Sequence, residues 1–236
     1  MAAETAARLT VGEVMPNFTY DTPFATGLTL SDTVQKTPKT ALLFLRYYGC
    51  TLCQYDIHQL AENYHQITDV GGQVIVVLQS DPAGLAQELQ PDTFPFSILC
   101  DPKADLYERF GIQPAASMAK MADAGTMLKI AKATAAGYKH GAYEGNELQL
   151  PACFVVDKEQ KILYAHYGKS AGDTPDARTL ASLLKGHFSF FTSITSETLF
   201  YQQDKRRMAS SPEHMRRLSF LLSQKERNFK LRPSRW

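Results

Sequence analysis

The stretch Ala41-Leu-Leu-Phe-Leu-Arg46-Tyr-Tyr-Gly-Cys50-Thr-Leu-Cys53 decides the reading of this chain. Its first five residues form an unbroken apolar run, the pattern of a parallel strand covered on both faces. Beyond the cysteines, apolar side chains at Ile57, Leu60, Tyr64 and Ile67 recur at intervals of three and four, which marks one face of a helix. Gly71-Gly72 should end that helix, and Val74-Ile-Val-Val-Leu78 follows as a second buried strand. Strand, helix and strand thus fill residues 41–78, the size of one βαβ unit. The fold class predicted is α/β, a central mixed sheet flanked by helices.

Asp81-Pro82 should open a short helix running to about Leu89, residues 96–100 should be a third strand, and Asp101-Pro102 should open a helix ending near Phe110-Gly111. Residues 115–140 form an Ala- and Met-rich, mostly helical insertion. Residues 151–157 and 161–167 read as an antiparallel hairpin at the far side of the sheet, covered by a helix from about Thr174 to Phe190. The main domain is therefore expected over residues 1–185, with a basic helical extension over 186–236.

The 236 residues carry a net charge of +1, which offers no general electrostatic attraction for nucleic acid or an anionic membrane. The extension is different: ten Lys/Arg stand against four Asp/Glu from Gly186 to Trp236. There Met215, Leu218, Leu221 and Leu222 share one helical face, which fits docking onto the body of the protein, or onto a second subunit in a homodimer, better than nucleic-acid binding. No window reaches membrane-spanning length, and residues 1–14 lack the basic start and apolar run of a secretory signal, so a cytoplasmic protein is expected.

Only four cysteines are present, and two stand three apart, which in a reducing compartment argues for redox or metal chemistry over a structural disulfide framework. Cys100 and Cys153 are isolated, so the second half of a zinc site is missing and neither metal nor cofactor is expected. They read as core residues. Cys50 falls where a strand runs into a helix, at the carboxyl edge of the sheet. Unpaired N–H groups and the dipole at the helix start favour an anion there and lower a thiol pKa. Cys53, at i+3, is placed to attack a bond formed at Cys50. Arg46 adds positive charge to the site or is an ordinary surface arginine. The polar, Gly-punctuated segment 139–146 reads as a connecting loop, with a lid bordering the site as the alternative.

On these residues the sequence resembles the peroxiredoxin-like branch of the AhpC/TSA superfamily from about Val11 to Leu184. The matching elements are Met15-Pro-Asn-Phe18 with Leu28-Thr-Leu-Ser31, the site Phe44 to Cys53, Cys100-Asp-Pro102 with Tyr107 to Gly111, and Leu150 to Asp157. The resemblance implies a thioredoxin-like fold, hydroperoxide or disulfide substrates, and a thiol electron donor such as a thioredoxin-type protein. It also places Pro151 at the site, at the position where thioredoxin-like proteins have a cis-proline. In the PxxxTxxC register of ordinary peroxiredoxins this chain has Arg46 for the proline, Cys50 for the threonine and Cys53 for the peroxidatic cysteine, and no arginine beside Pro151 matches the second active-site arginine. That register makes Cys53 the nucleophile, whereas the helix-terminus argument favours Cys50, the preferred choice for disulfide exchange. Two readings follow: a thiol oxidoreductase using a CxxC dithiol/disulfide cycle, or a non-enzymatic redox sensor whose CxxC switches a partner-binding surface.

Overall fold

The computed structural model describes residues 7–186. Contacts divide the chain into two units, Met1–Phe188 and Ser189–Trp236. The second unit, and with it the expected helical extension and its docking face, lies outside the described residues.

A short antiparallel pair, β1 (Thr19–Tyr20) and β2 (Leu28–Thr29), leads into α1 (Leu30–Val34), where Thr29 caps by accepting the Asp32 N–H. The central sheet then begins with β3 (Lys39–Phe44), α2 (Thr51–Glu62), α3 (His65–Thr68) and β4 (Gly72–Leu78). The single helix expected after the cysteines is two. The Asn63 side chain donates to the Gln59 carbonyl at 2.9 Å, competing with the helical ladder, and Tyr64 turns in to accept the Val74 N–H at 3.3 Å.

Next come α4 (Pro82–Glu88), capped by Asp81, then β5 (Ser97–Cys100) and α5 (Asp105–Arg109). The last of these starts at Asp105, not at Asp101-Pro102. The Asp101 carboxylate nevertheless does the capping, accepting N–H from Asp105 at 3.0 Å and Leu106 at 2.9 Å across a left-handed Ala104. Within residues 115–140 lie α6 (Met118–Met121) and α7 (Ala124–Ala135), the latter capped by Asp123. The hairpin β6 (Ala152–Asp157) and β7 (Ile162–Tyr167) follows, then α8 (Ala177–Lys185), which closes on Gly186 in the left-handed conformation before the Phe190 expected from sequence.

The sheet order is β5-β4-β3-β6-β7, with β3, β4 and β5 parallel and β6 and β7 antiparallel. This is the mixed sheet expected. Both faces are covered, which is why the central strands read as continuous apolar runs. Leu43, Leu45, Val76, Leu78 and Val155 face α2 and α8. Leu42, Phe44, Ile75, Val77 and Phe154 face a second core with α1, α5 and Met15. There Phe44 meets Tyr107, Phe110 and Phe154 edge to face at 5.2–6.0 Å.

Among the described residues no helix is long and apolar enough to cross a membrane.

Candidate functional site around Cys50

Because β3 is central, the chain that leaves it is delivered to the carboxyl edge of the sheet in a crowded, hydrogen-bonded setting. Leu45 N–H still donates to Val77 O, and Arg46 O accepts from Gln79 N–H at 2.7 Å. Tyr107 donates its hydroxyl to both Leu45 O and Val77 O, tying the ends of β3 and β4 together beneath the loop. Tyr48 N–H is satisfied by Ser80 Oγ at 2.9 Å. The loop that carries the cysteines is therefore fixed from below by backbone and buried side chains, a platform suited to holding one sulfur in one place.

Cys50 is the N-cap of α2. Its backbone is extended, and its Sγ accepts the Cys53 N–H at 3.4 Å while its carbonyl accepts the Gln54 N–H. A sulfur there replaces the usual cap oxygen and meets the positive end of a 12-residue helix. Arg46 reaches back over the turn and donates Nη2–H to Cys50 Sγ at 2.8 Å. The Cys50 thiol is lowered to about 6: the Cys53 thiol hydrogen-bonds to it, Arg46 supplies positive charge, and helix N–H groups add to this, together outweighing burial. Cys53 moves the opposite way, well up, because it is buried and it is the donor to the Cys50 sulfur. Both cysteines are free in this structure and within hydrogen-bonding reach of one another.

The surroundings of the two sulfurs thus favour negative charge on Cys50 over Cys53. The threonine-like register that would give Cys53 the charge is not what the local electrostatics favour. Arg46, whose surface placement was equally open from sequence, lies in the site. Cys100 and Cys153 are buried, each with its thiol pushed up to about 12, chiefly by burial.

Pro151 stands immediately before β6, one step beyond the Phe44–Ala152 pair and so at the same sheet edge as the loop. Its carbonyl accepts Gly168 N–H at 2.8 Å. The isomer, left open by the sequence, is trans, since no described peptide bond is cis. A proline that opens a strand satisfies the backbone in either form, and trans is favoured by about 0.5–1 kcal/mol.

The part of the site that spacing did not reveal is a strap, residues 139–149. Gly141 N–H donates to Gly49 O at 2.7 Å, and the Glu144 carboxylate accepts Gly49 N–H at 2.8 Å. Arg46 sends its second nitrogen, Nη1, to Glu147 O at 2.8 Å, with the Glu147 carboxylate 3.8 Å away. His140 Nε2 lies 3.1 Å from the Tyr47 hydroxyl, and its Nδ1 lies 2.9 Å from Gly141 O. Asn146 N–H is received by Gln79 Oε1 at 2.7 Å. These partners are about 70 to 100 residues apart in the chain. The Gly-punctuated composition located a loop, and no sequence spacing could have placed it on Cys50.

A model of the AhpC/TSA antioxidant enzyme family matches residues 59–170. Residues 59–170, a little under half of the chain, are thus similar to the AhpC/TSA family. The matched segment begins after Cys53 and so does not itself assign the two cysteines. Among solved structures, the peroxidoxin BcpB of Mycobacterium tuberculosis is 13% identical, with a TM-score of 0.53 over 79% of this chain and 100% of that one. A mutant of the peroxiredoxin 6 of Arenicola marina is 14% identical, TM-score 0.54, over 76% and 73%. A peroxiredoxin-like protein from Aquifex aeolicus is 14% identical, TM-score 0.52, over 77% and 89%. These likenesses show a shared thioredoxin-like fold. No curated protein matches the chain.

The contact between Arg46 and Cys50 carries a direct test. Arg46→Met should raise the Cys50 pKa by about one unit, from about 6, lowering the thiolate at pH 7 from about nine-tenths to about half of the protein. The ultraviolet absorbance of the thiolate, followed against pH, measures it. A titration curve that stays where it was would mean that the guanidinium does not stabilise the sulfur.

Proposed function

We propose that the chain is a thiol-dependent peroxidase working through a Cys50/Cys53 dithiol cycle. The observation that carries this reading is the 2.8 Å contact from Arg46 Nη2 to a Cys50 sulfur that also accepts the Cys53 backbone N–H at 3.4 Å. Cys50 thiolate attacks the distal oxygen of a hydroperoxide, the O–O bond breaks, and an alkoxide leaves and takes a proton to become the alcohol. Cys50 is then a sulfenic acid. Cys53 gives up its thiol proton and attacks the Cys50 sulfur, expelling the hydroxyl as water and forming the disulfide. An external dithiol, such as a thioredoxin-type donor, transfers two electrons and two protons to restore both thiols. The family description and the neighbouring fold support this assignment.

A disulfide substrate would use the same atoms, with Cys50 attacking sulfur instead of oxygen and Cys53 releasing the product. Arg46 and Cys50 stand where the PxxxT motif of ordinary peroxiredoxins would supply a proline and a threonine, which favours testing it beside peroxide. With a thiol donor in excess, sustained consumption of an organic hydroperoxide is expected. One stoichiometric oxidation that then stalls would sink the enzymatic cycle and leave a redox sensor; turnover of a model disulfide alone would replace the substrate but keep the cycle.

Turnover at saturating donor should rise with pH through about 6, as Cys50 ionises, and level off above it.

A further inference from the structure

Cys50 is completely buried and Cys53 is 5% exposed. A hydroperoxide must place its distal oxygen in line with Cys50 Sγ, so the arrangement seen is closed to substrate. What closes it is identifiable. A methyl group at Gly49 would lie 2.1 Å from the Ala142 carbonyl oxygen, so the strap rests directly on the backbone of the residue before the nucleophile. A Cβ at Gly145 would likewise lie 2.4 Å from Gln79 Oε1. The strap is seated flush because glycine occupies both points of contact.

The same segment is built to come away. Residues 139–146 include no regular secondary structure, and all but Glu144 are exposed, so lifting them uncovers little apolar surface. Tyr143 is 74% exposed and, among the described residues, stacks on His140 alone, at 4.2 Å. The strap is held instead by a few polar ties. At its centre, the Glu144 carboxylate and the Gly141 N–H grip the two backbone groups of Gly49. At its end, Glu147 O is held by the nitrogen of Arg46 that the thiolate does not use. Behind it the chain is anchored, since Gln149 lies buried, donating to Ile112 O at 2.9 Å.

We propose that residues 139–147 are a lid that has to lift before a substrate or reductant reaches Cys50, and that Glu144 is its latch. The inference rests on Cys50 being the reactive thiol, as argued above, and adds that access to it is gated. Glu144 touches neither sulfur nor substrate. It acts through Gly49, as a positioning residue whose loss changes how often the site is open.

Alkylation of Cys50 by iodoacetamide, quantified by mass on the full-length protein, separates gating from reactivity because it needs no peroxide and no turnover. In the unaltered protein the labelling rate should fall at least about tenfold below that of a small-molecule thiol of matched pKa, and should saturate as reagent is raised, since opening becomes limiting. Glu144→Ala should speed labelling at least about fivefold while the Cys50 pKa, read from the pH dependence of labelling, stays within about half a unit. Gly49→Ala reaches the same end by a different route, since its methyl group cannot coexist with the seated strap. A bulkier maleimide should gain more than iodoacetamide in either variant.

Labelling of the unaltered protein that is linear in reagent and as fast as a matched free thiol would overturn the lid. So would folded variants that label no faster than the parent. If Cys50 is never labelled, at any pH or in any folded variant, the assignment of the reactive thiol fails as well, which distinguishes the two readings.

Discussion

Cys50→Ser should lose hydroperoxide turnover on the order of 10³-fold or more, to the level of the donor alone, whereas Cys53→Ser should still complete one oxidation and then stop. The asymmetry follows from the two sulfurs' surroundings. Cys50 has a guanidinium at 2.8 Å, a helix N-terminus and a thiol donor. A serine hydroxyl in its place stays protonated at neutral pH and is no nucleophile toward oxygen. Cys53 donates a hydrogen bond to the Cys50 sulfur, which a serine hydroxyl can also supply, but its own sulfur is needed only after the first bond has formed. The Cys53→Ser protein should therefore accumulate a sulfenic acid at position 50, or a mixed disulfide with the donor thiol, each visible as a mass increment on the intact chain. Were the peroxiredoxin register to govern instead, the phenotypes would exchange, and a trapped adduct on Cys53 would show it.

The same comparison explains why the sequence located the site but not its covering. Cys50, Cys53 and Arg46 lie within eight residues, so strand-to-helix geometry and helical spacing bring them together by local rules alone. The central strands were legible for an equally local reason: burial on both faces demands unbroken apolar runs, and residues 41–45 and 74–78 supply them. The β1–β2 pair and α1 are short, and only family resemblance marked their residues. The break at Asn63 and the delayed start of α5 came from side chains, Asn63 and Asp101, bonding backbone that a periodicity reading assigns to the helix. Glu144 and Glu147 were beyond any such rule. Their partners lie 95 and 101 residues away, and only the packing of the inserted segment sets the meeting.

That packing rests on one partly buried ion pair. Lys129 of α7 places its ammonium 2.8 and 3.0 Å from the two carboxylate oxygens of Asp56 on α2, and gives its remaining protons to Gly172 O at 3.2 Å and to Thr174 Oγ1. Thr174 in turn donates to Asp56 Oδ2 at 2.8 Å. Three segments, including the helix that precedes the strap, thus converge on one cation. Burial raises the Asp56 pKa from 3.8 in spite of Lys129, so removing the ammonium leaves a carboxylate with its main compensation gone.

Lys129→Met should cost about 3–5 kcal/mol in urea unfolding at pH 7, and Lys129→Met with Asp56→Asn should recover much of it, since no buried charge then remains. The pH dependence follows from the sign of the shift. An acid whose folded pKa is raised contributes its stability below the unfolded value, near 3.8, and loses it as pH rises through the folded one. Without Lys129 the folded value climbs further, so the deficit of the variant should be small near pH 4 and grow to its full size above the new Asp56 pKa. A deficit that is the same at pH 4 and pH 7 would show that Lys129 contributes through the packing of its methylene stem and not through its charge.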